Sequence, residues 1–339
     1  MGNLESLNLF ISNSSLKLFL KNIIIVSVIM ALLHLGLALL ADGTSDDYYL
    51  KFSTPKQSSM ILGTSRAKQG LIPSVLSEAI EGGDVKLFNF SFTLKSSPFG
   101  KVYYDAIRNK VNPDTKDGCF IVTIDPWSIS ERIVDLNKTP DSLSVLYGIS
   151  DFTSKPNFKY LLEQYPYGWG RILLNRIEKP ILKYYSEKLN SSVTGSFSVL
   201  NEDGWLDVYT SLDSAFVKNK MNVRFNTYRE NSIKRIISET RVAYLDSIVN
   251  FLTPMGNVYL VRLPVHKTML GIEKEYMPDF NTQISNSISG SEGYLDFSTF
   301  ENSYSYTDGH HLTKGSAKEV SQVIGEWVNN LRKSNKKDF

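Results

Sequence analysis

Apolar residues open this chain as a block and continue it as a pattern. From Ile23 to Ala41 the sequence reads IIIVSVIMALLHLGLALLA without a charge. At 1.5 Å of rise per residue such a run crosses a hydrocarbon layer of roughly 30 Å. One transmembrane helix is expected over 23–41, followed by a polar tether over 42–59 that carries Gly43, Ser45 and Pro55. Strand-like and helix-like segments then alternate. Met60–Leu62 is a short apolar run, and Leu71, Ile72, Val75, Leu76, Ala79 and Ile80 recur at helical spacing, with Pro73 acceptable in a first turn. Val85–Phe90 is a candidate strand, and Val102, Tyr103, Ala106 and Ile107 mark a helix between Gly100 and Asn109. Cys119–Ile124 is nearly unbroken in its apolar character, as a strand buried on both faces of a parallel sheet requires.

From Asp151 to Asn226 the pattern loosens and aromatics accumulate, among them Phe152, Phe158, Tyr160, Tyr165, Tyr167, Trp169, Tyr184, Tyr185, Trp205 and Tyr209. Within this stretch a helix is expected over Arg171–Leu189, basic on one side, with Pro180 kinking it or starting a new helix. It reads as a membrane-surface or docking element, as a lid, or as an ordinary amphipathic helix with a solvated basic face. The alternation then resumes. A long helix is expected through Ile233, Ile236, Ile237, Val242, Leu245, Ile248, Val249 and Leu252, then a strand over Val258–Leu263. A closing helix carries Val320, Val323, Ile324, Trp327, Val328 and Leu331, with Ser316 and Glu319 spaced as a capping box. The expected fold is one α/β domain over 60–332, a parallel sheet between helices with right-handed crossovers, interrupted by an insertion at about 151–226. The basic run from Arg332 into 333–339 reads as a solvated tail.

Composition narrows the class. With 339 residues, 42% hydrophobic and 21% charged, the chain is globular apart from the apolar block. A formal net charge of +2 gives no footprint for nucleic acid. The single cysteine, Cys119, can form no intramolecular disulfide. Lys17 and Lys21 precede the span and Asp42, Asp46 and Asp47 follow it, so the positive-inside rule puts residues 1–22 in the cytoplasm and the domain outside the cytoplasmic membrane. A cleaved signal peptide, with small residues Ala38, Ala41 and Gly43, is the competing reading; the run exceeds a usual signal core, which favours an uncleaved anchor. His34 inside the span reads as a neutral imidazole bonded within its own helix, or as a contact to a membrane partner.

Two short motifs carry the candidate chemistry: Gly63-Thr64-Ser65-Arg66 after the first strand, and Asp308-Gly309-His310-His311-Leu312 before the last helix. Sites in open α/β sheets form outside the carboxyl ends of the strands. A serine there needs an adjacent base, which His311 can supply, and Asp308 can hold the imidazole tautomer. Either motif alone is equally a structural turn. At other strand ends, Asp125 and Trp127 can contact a sugar by hydrogen bonding and stacking, or can simply start a helix. Arg262 and His266 can approach an anionic substrate, while a surface salt bridge is the plainer fate for Arg262.

Together the two motifs resemble those of the SGNH, or GDSL, hydrolase superfamily, whose serine lies in a Gly-Asp-Ser-like first block and whose Asp-x-x-His lies in the last. Here Thr64 replaces the aspartate, and the last block selects His311 over His310. The resemblance covers roughly 60–130 and 256–332. It implies a three-layer, flavodoxin-like sandwich, a Ser65, His311 and Asp308 triad, and no cofactor or metal. In that superfamily a second-block glycine and a third-block asparagine complete the oxyanion hole; here Asn89-Phe90-Ser91-Phe92 and Asp125-Pro126-Trp127-Ser128 stand at those places. Asn89 and the backbone near Ser91 become the candidate oxyanion donors. A membrane-tethered, outward-facing member resembles the DltD-type proteins that work beside membrane-bound O-acyltransferases. The resemblance thus implies a serine O-acyltransferase or esterase on an envelope glycan, with a multi-span O-acyltransferase as partner. The degenerate middle blocks equally suit a non-catalytic binding or assembly subunit.

Overall fold

The apolar block is helix α1 (Asn13–Leu40) in the computed structural model, which describes residues 13–40, 47–80, 85–97, 99–135, 169–189, 196–300 and 303–335. Its stretch Ser15–Gly36 is long and apolar enough to cross a membrane, and its apolar side chains are exposed. The helix begins earlier than the expected span because Leu16, Leu18, Phe19 and Leu20 extend the apolar surface past Lys17, whose flexible stem can carry its charge outward. Ala41 and tether residues 42–46 lie outside the described residues.

The rest of the expected tether is a correction. Asp47–Ser53 forms helix α2, in which Leu50, Lys51 and Phe52 are buried. Phe52 stacks on Phe92 and meets Phe90 edge-on, so apolar contact draws this segment into the domain. The chain continues through β1 (Met60–Leu62), α3 (Ser65–Gly70), α4 (Pro73–Ala79), β2 (Phe88–Asn89), α5 (Lys101–Lys110), β3 (Gly118–Thr123) and β4 (Ser130–Arg132). Next come α6 (Trp169–Leu189), β5 (Ser196–Leu200), β6 (Leu206–Thr210), α7 (Ser214–Ser232), β7 (Arg235–Ile237), α8 (Glu239–Leu252) and β8 (Gly256–Arg262). It closes with α9 (Lys267–Tyr276), α10 (Phe280–Gln283), α11 (Ser285–Ser289), β9 (Gly293–Asp296) and α12 (Lys314–Asn335).

Five strands form one parallel sheet in the order β2-β1-β3-β8-β9. Side chains alternate across it with the period of two that a strand imposes. Met60, Leu62, Phe120, Val122, Val258 and Leu260 share one core with α5 and α8. Ile61, Cys119, Ile121, Tyr259 and Val261 share another with α4 and α12. Helices on both faces make three layers, which is why these strands read as continuous apolar runs. Cys119 is a buried thiol in the second core, outside any disulfide.

Several boundaries differ from expectation for local reasons. The helix expected over 233–252 is two elements: Arg235–Ile237 pairs antiparallel with β4, and Ser238 caps α8 by accepting the Arg241 N–H. The Ser316–Glu319 box does not form. Thr313 Oγ1 accepts the Ser316 N–H at 3.4 Å, while Ser316 Oγ accepts the Ser305 N–H at 2.8 Å. Arg332 is no part of a solvated tail: it is buried and paired with Asp117 at 3.2 Å. Residues 336–339, and the aromatics from Phe152 to Tyr167, lie outside the described residues.

One buried cation in this frame has a measurable consequence. Lys110 Nζ donates to both the carbonyl and hydroxyl of Thr54 at 2.6 Å and sits 5.2 Å over the Phe88 ring. Burial pushes its ammonium down to about 7. An unfolded chain titrates lysine near ~10.4, so between these values the unfolded state holds more protons and native stability rises with pH. Denaturant midpoints in detergent are therefore expected to rise across this window in the wild type, and Lys110→Met is expected to flatten the rise.

Candidate active site

The nucleophile candidate is placed by a glycine. After β1, Gly63 takes φ 141°, and a Cβ there would overlap Thr123 Oγ1 on β3. Only glycine lets the turn run this close to its neighbour. The Gly63 N–H donates to the Tyr103 hydroxyl at 3.0 Å, and Thr123 Oγ1 donates to the Leu62 carbonyl at 3.1 Å. Ser65 then opens α3 at the carboxyl end of β1, between strands that continue in opposite directions across the sheet. Such a switch point is where open α/β sheets form a crevice.

The candidate base is held by an equally tight turn. Asp308 Oδ1 accepts the N–H groups of His310 and His311 at 3.3 and 3.0 Å. Gly309 takes φ 92°, its carbonyl accepts the His266 N–H at 3.0 Å, and a Cβ on it would come within 2.5 Å of the Phe225 ring. These constraints bring the two ends of the domain together. Ser65 Oγ lies 2.9 Å from His311 Nε2, and His311 Nδ1 lies 3.0 Å from Asp308 Oδ2. Arg224 of α7 adds a guanidinium 3.1 Å from the same oxygen.

The electrostatics follow from this packing. Burial would raise the Asp308 carboxyl, but the His311 hydrogen bond and the neighbouring His311, His310 and Arg224 charges hold it well below the usual carboxylate range. An ionised Asp308 on Nδ1 favours the tautomer that leaves Nε2 free to accept the Ser65 proton. His310 is buried with its ring centre 3.9 Å from that of His311, and burial, then His311, keeps it far below the ordinary histidine range. Asp308, His310 and His311 also present ligand atoms within 4.8 Å of one another, a spacing a cation accepts. The Arg224 guanidinium on the same carboxylate competes with a cation there, whereas it complements a hydrogen-bonded relay.

Beneath Ser65 lies a charge network that no motif announces. Arg66 Nη2 contacts Glu273 Oε1 at 2.6 Å, Arg262 Nη2 contacts Glu273 Oε2 at 3.1 Å, and Trp127 Nε1 donates to Glu273 Oε1 at 3.0 Å. Asp125 and Asp296 stand 3.9 Å from Arg66 and Arg262. Burial alone would raise Glu273, yet the two guanidiniums hold it below the ordinary range. Its partners come from the carboxyl ends of β1, β3, β8 and β9, so the network ties the Ser65 turn to the rest of that sheet edge. Glu273 and Arg224 belong to no motif in the sequence, and the spacing of neighbouring residues singles out neither.

The remaining expected site residues have structural roles. Asn89 Nδ2 donates to the carbonyls of Ala67 and Leu71 at 2.9 and 3.1 Å, and its Oδ1 accepts the Ser91 N–H at 3.1 Å. Ser91 Oγ donates to Ile61 O at 3.3 Å. The oxyanion assignment of Asn89 and Ser91 is thereby corrected, because their donors are already engaged in holding α3 against β1 and β2. Asp125 Oδ1 closes its own turn by accepting the Trp127 and Ser128 N–H groups. Trp127 is buried, stacked on Tyr276 at 4.7 Å, with no face open to a sugar. Arg262 is buried over the Phe280 ring and paired with the buried Glu273, in place of the surface salt bridge expected of it. His266 caps α9 by accepting the Thr268 N–H, and lines a groove with Lys218, Asn222, Phe225, Asn226 and Arg229 beside the Gly309 turn. No family model, curated protein or solved structure matches the chain, so the chemistry of the site rests on this geometry.

Proposed function

We propose that this chain is a membrane-anchored SGNH-type serine O-acyltransferase or esterase that acts outside the cytoplasm on an envelope polysaccharide. The observation that carries the reading is the continuous line from Ser65 Oγ through His311 to Asp308, at 2.9 and 3.0 Å, on the carboxyl edge of a parallel sheet. His311 Nε2 takes the Ser65 proton as Oγ attacks an ester carbonyl, and Asp308 stabilises the imidazolium. His311 then returns the proton to the departing alcohol, leaving an acyl ester on Ser65. In the second half a hydroxyl acceptor, or water, gives its proton to His311 and attacks that ester, restoring Ser65. The developing oxyanion finds its donors in the first-turn N–H groups of α3, which have no intrahelical acceptor.

Two further features support the assignment. The groove lined by Lys218, Asn222, Asn226, Arg229 and His266 offers amides and cations suited to a hydroxyl-rich, anionic acceptor. Helix α1 and its flanking charges favour a domain outside the cytoplasm, where a multi-span membrane-bound O-acyltransferase would hand over the acyl group.

The occupied donors of Asn89 and Ser91 favour a second reading, a non-catalytic binding or assembly subunit of an envelope complex. A fluorophosphonate probe separates them. Under the proposal it labels the folded wild type and not Ser65→Ala. Absence of labelling, with full complementation by Ser65→Ala, establishes the second reading instead. In a deletion strain, loss of surface acylation identifies transfer and a gain identifies hydrolysis.

A further inference from the structure

Helix α6 is amphipathic with its apolar face turned outward. At about 100° per residue, Leu173, Leu174, Ile177, Ile181, Tyr184 and Tyr185 fall within an arc of about 120°. All six are exposed, Leu174 by 60% and Ile177 by 64%. Arg176, Lys179 and Lys183 lie on the other side of the same helix. A soluble domain seldom leaves so large an apolar stripe in water.

Its neighbour indicates what covers it. Helix α6 approaches α1 within 8 Å between Cα atoms, so the exposed stripe belongs to a helix that stands beside the one suited to cross the bilayer. Tyrosines at the end of the stripe suit the boundary between acyl chains and water. A protein partner would not require this proximity to α1.

We propose that α6 lies along the surface of the bilayer that α1 crosses, with Leu173, Leu174, Ile177, Ile181, Tyr184 and Tyr185 seated at the acyl boundary. The helix is also tied to the catalytic edge. The Tyr209 hydroxyl lies 2.8 Å from both Glu187 of α6 and Asp207 of β6. Lys314 Nζ donates to Asp207 at 2.7 Å and sits 5.5 Å over the Trp205 ring, whose Nε1 donates to Gln69 of α3 at 2.9 Å. At the start of the domain, α2 sends Lys51 Nζ to the carbonyls of Asn89 and Ser91 at 2.7 and 2.5 Å. Membrane-side elements thus brace the edge that bears Ser65. Resting on the reading of Ser65 as nucleophile, the ester this enzyme opens is carried at the lipid surface rather than free in solution.

The test uses the full chain in nanodiscs of phosphatidylglycerol and phosphatidylethanolamine, one copy per disc, in a Cys119→Ala background. An environment-sensitive fluorophore is attached at Ile177→Cys, Ile181→Cys or Arg176→Cys. Doxyl-labelled lipids are expected to quench the probes at 177 and 181 several-fold more than the probe at 176. Equal quenching at all three, or water-like emission at 177 and 181, overturns the proposal. So does protection of those probes only when a second copy or a multi-span partner is added. Because quenching needs no turnover, it is expected unchanged in Ser65→Ala, which separates the fate of this proposal from that of the catalytic reading. Ile177→Glu is further expected to lower turnover of a vesicle-borne ester severalfold while leaving a water-soluble aryl ester unaffected; an equal effect on both overturns the substrate inference.

Discussion

His311→Ala is expected to lower kcat/KM for an activated aryl ester by roughly 10⁴- to 10⁶-fold, with the fold retained. Without Nε2 at 2.9 Å, the Ser65 hydroxyl has no acceptor for its proton and remains a poor nucleophile. Ser65→Ala is expected to cost a similar factor, and the double variant no more than either alone, because the two side chains act as one unit. Asp308→Asn is expected to cost about 10⁴-fold, since an amide facing Nδ1 stabilises the wrong tautomer. His310→Ala is the informative control. That ring packs on His311 with its Nδ1 3.3 Å from Asp308 Oδ1, but it does not accept the Ser65 proton, so its loss is expected to affect activity less than the loss of His311. Steady-state rates with secondary structure monitored by circular dichroism decide the matter. A His311→Ala protein that is folded and retains more than about a tenth of wild-type turnover would sink the triad.

The second large effect concerns stability. Glu273→Leu is expected to destabilise the domain by about 3–5 kcal/mol, because it strands two buried guanidiniums. Arg66 and Arg262 each lose their nearest carboxylate oxygen, at 2.6 and 3.1 Å, and the Trp127 indole N–H loses its acceptor. Asp125 and Asp296 remain only at 3.9 Å and are themselves nearly buried, so they replace little of the lost interaction. A combined variant with Arg66→Met, Arg262→Met and Glu273→Leu is expected to recover only part of the loss, since it removes the stranded guanidiniums but leaves Asp125 and Asp296 without the cations that face them. Denaturant midpoints measured in detergent give the comparison. A loss below about 1 kcal/mol for Glu273→Leu would mean that water already reaches the network.

Legibility differed by the range of the interactions involved. Strand β3 and helix α5 follow their apolar periods closely, because each period records which neighbours a side chain meets within a turn or two. The division of 233–252 did not show in the period, since Ile236 and Ile237 serve a helix face and a strand equally well. Pairing with β4, more than a hundred residues earlier, decided between them. The tether failed as an expectation for a related reason. The expected tether is polar as a whole, but within Asp47–Ser53 Phe52 finds Phe90 and Phe92, and Lys51 finds two backbone carbonyls, only in the assembled domain.

Within the site, Ser65, Asp308 and His311 were legible because a turn after the first strand and a turn before the last helix converge on the same edge of a doubly wound sheet. The sequence by itself determined the apolar helix and the strand–helix alternation, both consequences of local spacing, and offered those three side chains as candidates through two motifs and a family resemblance. Only the tertiary structure decided which polar groups still had free hydrogen-bonding capacity. Asn89, Ser91, Asp125, Trp127 and Arg262 all stand near strand ends, as expected of site residues, yet each is already satisfied internally. Arg66 meets Glu273 across 207 residues and Ser65 meets His311 across 246. The occupancy of a donor is a property of such distant neighbours, and no periodicity along the chain encodes it.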